Sequence, residues 1–447
     1  MLKKKDVIVF EDEHHGRFYP LCLSRPTFDL LAGTRRNIDR IYHHFRGFNI
    51  FTLCRPHLSA LPTTGTPPDL DRIAQAENDT TILINGSAVI RKQDQAFIDE
   101  LKTASGPAAY LNKNLVVAAV LPNKSVRDLL DRSGMTLSLY TRGSIERITE
   151  VSGNTQQSAV LIFSHIWDPI NENSRLIQSD FDEFYSDRAG DIDTGDTHCY
   201  EKSALYVGEG FSGDAGVVID ARKGPVVIGD GVEIKPNTFL EGPAFVGNGC
   251  KLVGGKVTGG SAFGAGCRIG GEVETTIILG DTNKYHEGFI GHAYIGKWVN
   301  LGALTTNSDL ANNYGNIKIK QNGVVVDTGE MKIGSFIGDH SKIGIGMTLN
   351  TGAVIGFSSN LFGGSLILEK EVPSFGWGND ALRSRVRLAD AVRTAETVMA
   401  RRNHEFTAHH ARLFKKIFED SQTLRNAWTK KQRFRKNREG GSEEKTN

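Results

Sequence analysis

The chain has 447 residues, enough for two or three domains, and its 39% apolar content is ordinary for a globular protein. The net charge of +1 hides an uneven spread: residues 380–447 hold 17 Lys/Arg against 9 Asp/Glu, and the rest of the chain is acidic. Such a tail reads as a solvated helix face rather than a nucleic-acid binder, and five cysteines, odd in number and with no CxxC pair, point to a reducing compartment rather than a disulfide framework.

The N-terminus offers only four consecutive apolar residues, Val7 to Phe10, too few for a signal peptide or a membrane span. A cytoplasmic protein is therefore expected. Residues 1–185 read as an α/β domain. Short buried-strand runs occur at Val7–Phe10, Ile50–Leu53, Thr81–Ile84 and Leu115–Val120, with helical or irregular stretches between them. This alternation predicts a mostly parallel sheet whose ligands sit beyond the strand C-termini. Residues 186–204, which open on an Asp-, Gly- and Thr-rich run, read as a linker.

From 205 to 378 the pattern changes. Aliphatics recur every six residues at Ile228, Ile234, Leu240, Val246 and Leu252, and again at Ile337, Ile343, Leu349, Ile355 and Leu361. Gly often follows the aliphatic directly, as at Ile228-Gly229, Ile295-Gly296 and Ile343-Gly344. A period of six fits a short flat strand plus a corner, three of which close a triangular coil of about 18 residues. The inward aliphatics then stack about 4.8 Å apart from coil to coil. This predicts a left-handed parallel β-helix of hexapeptide repeats. Thr305 to Lys332 breaks the period and is expected to leave the coil as a loop. Residues 379–447 read as a helical tail: Leu382, Val386, Ala389, Val392, Ala395 and Met399 step by three or four, continued by Phe406, Leu413, Ile417, Leu424 and Trp428. The polar stretch Arg433 to Asn447 is expected to be disordered.

Several segments resemble one family. They are Phe10-Glu11-Asp12 with Ser24-Arg25-Pro26, Gly270-Gly271-Glu272-Val273-Glu274, Asn283 to Gly291, Asn300-Leu301-Gly302-Ala303 with Asn307-Ser308-Asp309-Leu310, Gly338 to Lys342, and Pro373 to Gly378. The chain resembles the bifunctional UDP-N-acetylglucosamine pyrophosphorylase / glucosamine-1-phosphate N-acetyltransferases, and more closely a divergent sugar nucleotidyltransferase branch of them. The resemblance implies a nucleotidyltransferase-like domain acting on UTP and a sugar 1-phosphate, followed by an acetyl-CoA-dependent N-acyltransferase that assembles as a homotrimer. It makes His286 the general base, since an ammonium cannot attack a thioester until it loses a proton. It implies sugar contacts at Glu272, Lys284, Asn300 and Asn307, and acyl-CoA contacts at Gly302, Ala303 and Asp339, with a backbone N–H near Gly302-Ala303 available to an oxyanion. Where the family has a Lys to grip the sugar phosphate, Glu274 stands; Lys256 or Lys284 is expected to compensate.

The N-terminal domain departs further from the family. Its first strand leads into Glu11-Asp12-Glu13-His14-His15-Gly16-Arg17, acidic and with a single Gly. By resemblance, Arg17 and Arg25 are candidate phosphate ligands and Asn85-Gly86 a nucleotide contact; Mg²⁺ would need Glu11, Asp12 or Asp168. Leu31-Ala32-Gly33-Thr34-Arg35 mimics the missing phosphate loop, but no strand precedes it. Three alternatives stand beside this reading: a nucleotidyltransferase whose β-helix only assembles it, a non-enzymatic sugar-nucleotide-binding scaffold, and zinc held by His286, His292 and His340.

Overall fold

The computed structural model describes residues 5–59, 65–68, 79–112, 114–126, 129, 148, 155–190 and 194–439, the side chains beyond 430 excepted. The chain divides into two compact units, Met1–Phe18 with Ser24–Pro169, and Tyr19–Leu23 with Ile170–Asn447.

The first unit is built on a six-stranded sheet. Its strands are β1 (Asp6–Phe10), β2 (Asn49–Leu53), β3 (Thr80–Asn85), β4 (Ala108–Asn112), β5 (Leu115–Pro122) and β6 (Thr155–Gln157), in the order β2-β1-β3-β5-β4-β6. The central apolar runs are buried on both faces, and Val7, Ile8, Val9 and Phe10 are all fully buried, whereas Ile50 and Phe51 on the edge strand β2 are half-buried. β1 pairs in parallel with β2 and β3, but β5 runs antiparallel to both of its neighbours, so the sheet is mixed rather than mostly parallel. The phosphate-loop mimic is a two-residue hairpin, Leu31–Ala32 against Arg35–Arg36, turning at Gly33 with φ 69°.

The second unit is a parallel β-solenoid. Parallel pairing begins before Leu205, since His198–Tyr200 pairs with Val218–Asp220; the expected linker therefore already contains coil. One face is a nine-stranded sheet running from Leu205–Val207 to Glu371–Val372. Every aliphatic of both six-residue series lies in one continuous core. Coil length shows in the register: Phe336 pairs with Val354, 18 residues on, but Tyr294 pairs with Phe336, 42 residues on. The difference is the excursion. Thr306–Asn307 still pairs within the coil, and the chain leaves only after it. The excursion then folds as a hairpin, Lys318–Gln321 against Val324–Asp327, around Asn322 and Gly323, both at positive φ as a tight two-residue turn requires.

The tail is helical but starts later and in another phase than the spacing predicts. Arg383–Arg385 returns as a strand antiparallel to Gly376–Gly378, and helices α1 (Leu388–Ala400), α2 (Ala408–Asp420) and α3 (Gln422–Glu439) follow. The first buries Ala391, Ala395 and Met399, while Ala389 is exposed. The backbone of Arg433–Glu439 belongs to α3, against the expected disorder; residues 440–447 lie outside the described residues. The tail packs on the solenoid through rings: Phe414 meets His340, Phe357, Phe375 and Phe406, and Phe418 meets Phe375.

Candidate functional site

The family-like residues of the solenoid gather on one face and its adjoining corner. Parallel register stacks Asn283, Asn300, Lys342, Asn360 and Trp377 in one column, one residue per coil. The column points outward because its neighbours Leu301, Ile343 and Leu361 point into the core. His286 lies on the corner after Asn283, and its imidazole is exposed beside the Tyr285 ring, 5.1 Å between centroids.

One coil further on, the same corner is Ala303-Leu304, since the Leu304 N–H donates to the Glu287 carbonyl at 2.7 Å. Ala303 thus sits about one 4.8 Å rung from His286. The Gly302 N–H donates to the Ile343 carbonyl at 2.8 Å and is occupied. The Ala303 N–H has no acceptor among the described residues. For the backbone N–H expected near Gly302-Ala303, the structure leaves that of Ala303.

Asn300 accepts a hydrogen bond from the Asn283 amide at 3.2 Å, and Asn283 in turn accepts one from Arg402 at 2.8 Å. Neither Asn283 nor Arg402 was expected here. Arg402 sits in the tail, 119 residues from its partner, and no spacing in the sequence announces it.

Three expected ligands turn inward instead. Lys284 occupies a core-facing position, 1% exposed, and its ammonium donates to the Gly270 carbonyl at 2.9 Å and the His286 carbonyl at 2.5 Å. Burial lowers its pKa from 10.5 to about 8. It is a clamp on the His286 turn, not a surface ligand. The Asn307 amide bridges both backbone groups of Gly291, accepting from its N–H and donating to its carbonyl, each at 2.9 Å. Asp339 is buried and accepts the Lys297 N–H at 2.8 Å, against Gly296, where a Cβ would stand 2.3 Å from its carboxylate. In each case a backbone group left unpaired at a corner is satisfied by a side chain from a neighbouring coil.

Glu272 remains partly exposed and pairs with Lys256 at 3.1 Å. Glu274, in the place of the family's Lys, pairs with Lys332 of the excursion at 3.5 Å. Lys332, and neither Lys256 nor Lys284, therefore offsets its charge. His292 Nδ1 contacts the Asp309 carboxylate at 2.7 Å, and His340 is buried among Trp298, Phe357 and Phe414. Among the described residues these two and His286 form no group of converging metal donors.

In the first unit the strand ends carry charge as expected, but most of it is held within the unit. Glu11 is gripped by Arg55 through two bonds of 2.9 and 3.0 Å and accepts the Thr27 N–H. Arg25 is buried beside Asp29 at 3.5 Å. Asn85 is fully buried; its amide donates to Asp12 at 2.9 Å and to the Val116 carbonyl at 3.0 Å. Gly86 packs so tightly that a Cβ would meet Phe28 at 2.9 Å. Arg25, Asn85 and Gly86 are thus part of the scaffold, and of the four expected contacts only Arg17 is exposed.

Asp12 accepts hydrogen bonds from the His14 N–H and Asn85, and burial raises its pKa to about 6. Asp168 accepts the N–H groups of Ser164 and His165, whose ring stacks on Trp167 at 4.4 Å. Among the described residues Glu11, Asp12 and Asp168 do not gather as a three-donor metal group.

Comparison with known proteins agrees with this architecture. Residues 7–189 match the family described as sugar nucleotidyl transferase. Over that stretch the chain is similar to the sugar nucleotidyl transferases. It is 30% identical to the bifunctional sugar-1-phosphate nucleotidylyltransferase/acetyltransferase of Sulfurisphaera tokodaii over 22% of this chain and 24% of that one. It is 32% identical to the bifunctional protein GlmU of Acidithiobacillus ferrooxidans over 42% of this chain and 38% of that one. A longer match, 26% identical, covers 73% of this chain and 70% of GlmU from Baumannia cicadellinicola. The chain thus spans less than two-fifths of the first two relatives. The solved Arabidopsis UDP-N-acetylglucosamine acyltransferase is 13% identical over 47% of this chain and 80% of its own, at a TM-score of 0.23, too low to establish a shared fold. Among the described residues no helix is long and apolar enough to cross a membrane.

Proposed function

We propose that the solenoid transfers an acetyl group from acetyl-CoA to the amine of an amino sugar phosphate or amino sugar nucleotide, with His286 as general base. The observation that carries this is the juxtaposition of an exposed imidazole with the Ala303 N–H one rung away. The imidazole takes the proton as the amine attacks the thioester carbonyl, the N–H stabilises the tetrahedral oxyanion, and collapse breaks the C–S bond, the leaving coenzyme A thiolate taking the proton back from the imidazolium. Asn300 and Glu272 lie on the adjoining strands and can orient a sugar. The ion pair of Glu274 with Lys332 removes the expected phosphate grip, which favours an acceptor bound through its hydroxyls or its nucleotide.

Exposed Tyr285, Leu304 and Ile345 form an apolar stripe along the His286 corner, at 42%, 63% and 72% exposure. That stripe supports a trimer in which a second copy closes the site, as in the resembling family. The N-terminal domain we read as a sugar-nucleotide-binding domain of nucleotidyltransferase type, with Arg17 as its exposed phosphate ligand. The five free thiols fit a cytoplasmic setting.

His286→Ala should lower acetyl transfer by about 10²–10⁴-fold, with circular dichroism and assembly size unchanged. Unaltered turnover in a folded variant removes the assignment. Pyrophosphate release from UTP and a sugar 1-phosphate tests the N-terminal domain separately.

A further inference from the structure

A cavity lies in the same unit, and no residue of the His286 corner lines it. It has a volume of about 530 Å³ and opens between the last coils of the solenoid and the tail. This falls within the roughly 300–1,000 Å³ of small-molecule sites. The outward column described above forms one wall through Lys342, Asn360 and Trp377. The return strand extends that wall, Ser384 pairing with Trp377 in the same sheet, and the start of α1 adds further lining.

The chemistry of this lining is one-sided. Lys342, Arg385 and Arg387 are among its lining residues, against one carboxylate, Asp390. Asp390 is already held by Arg387 at 2.6 Å and by Arg393. Lys342 has no carboxylate partner among the described residues; its ammonium donates only to the Trp298 carbonyl, at 2.5 Å. Desolvation accordingly lowers its pKa to about 8. A cation held in a protein without a counter-ion is costly, and an anionic ligand removes that cost. Arg385, by contrast, is exposed, and it too makes no ion pair among the described residues. Trp377 is 37% exposed, with Phe362 edge-on to it at 5.1 Å, and its ring offers a stacking surface to a planar group.

We propose that this cavity binds a nucleoside diphosphate, with its phosphates on Lys342 and Arg385 and its base on Trp377, closed in by the chain's own tail. This site is distinct from the acyl-transfer corner and stands whether or not His286 is a base. The same chemistry is carried by a free nucleotide and by the 3′-phosphorylated ADP portion of coenzyme A.

The test is calorimetric titration of the full chain with ADP, UDP, 3′,5′-ADP and inorganic pyrophosphate, with Trp fluorescence as a second readout. At least one nucleotide should bind, and Arg385→Ala and Lys342→Met should each weaken it at least about tenfold. Trp377→Ala should weaken it too and abolish the fluorescence change. Lys223→Ala, on an early coil outside the cavity, should leave it unmoved. A preference for 3′,5′-ADP identifies the coenzyme as the source, and a preference for ADP or UDP identifies a free nucleotide. No binding at millimolar concentration, affinity indifferent to Arg385→Ala, or pyrophosphate binding as tightly as every nucleotide would overturn the proposal. Arg385 is exposed, so its variant keeps the test valid if Lys342→Met fails to fold.

Discussion

Lys284→Met keeps the length of the side chain and removes its ammonium from the solenoid core. In the native fold that ammonium has its pKa lowered to about 8 from 10.5, with desolvation as the cause. Between those two values the unfolded chain holds the proton more tightly than the folded one, so folding stability must rise with pH across that window. At about 1.4 kcal/mol per pKa unit, burying the charge costs roughly 3 kcal/mol near neutrality, and about 2.5 kcal/mol of it is recovered by about pH 10. The hydrogen bonds to the Gly270 and His286 carbonyls oppose this cost, each worth about 1.5–3 kcal/mol as a bond to a charged group.

The net change at neutral pH is therefore small, and the pH dependence is the sharp signature. Denaturant unfolding of wild type and variant near pH 7 and near pH 10 should show wild type gaining about 2.5 kcal/mol relative to the variant. Acetyl transfer should fall by about 10–100-fold, because the clamp on the His286 backbone is gone and a displacement of order 1 Å at a reacting group is that costly. Stability profiles that stay parallel in the two proteins would refute the placement of the ammonium.

Two further outcomes follow from the same physics. Asp12, raised from 3.8 to about 6 by burial, holds its proton longer in the folded state, so its contribution is greatest below about pH 4 and declines by about 3 kcal/mol as pH rises through 6. Thermal unfolding across that range should slope downward in wild type and flatten in Asp12→Asn; identical slopes would contradict it. Phe414→Ala empties a ring cluster in which Phe414 is 1% exposed, at a cost of about 3–5 kcal/mol. Hydrogen exchange should then accelerate across residues 408–420 while the coils stay protected, and unchanged exchange there would show that the tail is held by something else.

The parts of the molecule legible in the sequence are those whose pattern is local. The six-residue aliphatic step at Ile337, Ile343 and Leu349 reports the turning of a single coil, and all three side chains are buried as that step demands. The break after Thr305 was legible for the same reason, although pairing of Thr306–Asn307 with Thr348–Leu349 shows that the chain departs slightly later. The tail's helices were visible and their phase was not. Spacing alone does not distinguish the Ala391–Ala395–Met399 stripe from one through Ala389 and Val392; packing against the solenoid selects it.

Among the residues the resemblance proposed, His286, Asn300 and Ala303 remain accessible on one face and its corner. Lys284, Asn307 and Asp339 do not, because each answers a backbone group on another coil. Polar residue types at those positions read as ligands when taken one at a time. The contrary facts are three-dimensional: the Gly270 carbonyl that Lys284 meets is 14 residues away, the Gly291 groups that Asn307 bridges are 16 away, and the Lys297 N–H beneath Asp339 is 42 away.

By itself the amino-acid order determined that the chain would coil and roughly where, since burial of one aliphatic per six residues depends only on near neighbours. Which polar side chains stayed at the surface for chemistry, and which were drawn in to satisfy corner carbonyls and N–H groups, was decided by tertiary structure alone. The reason is that an unpaired buried backbone group is satisfied by whatever donor or acceptor the stacked coils bring alongside it, and that neighbour is set by register and by the tail's return, not by sequence proximity.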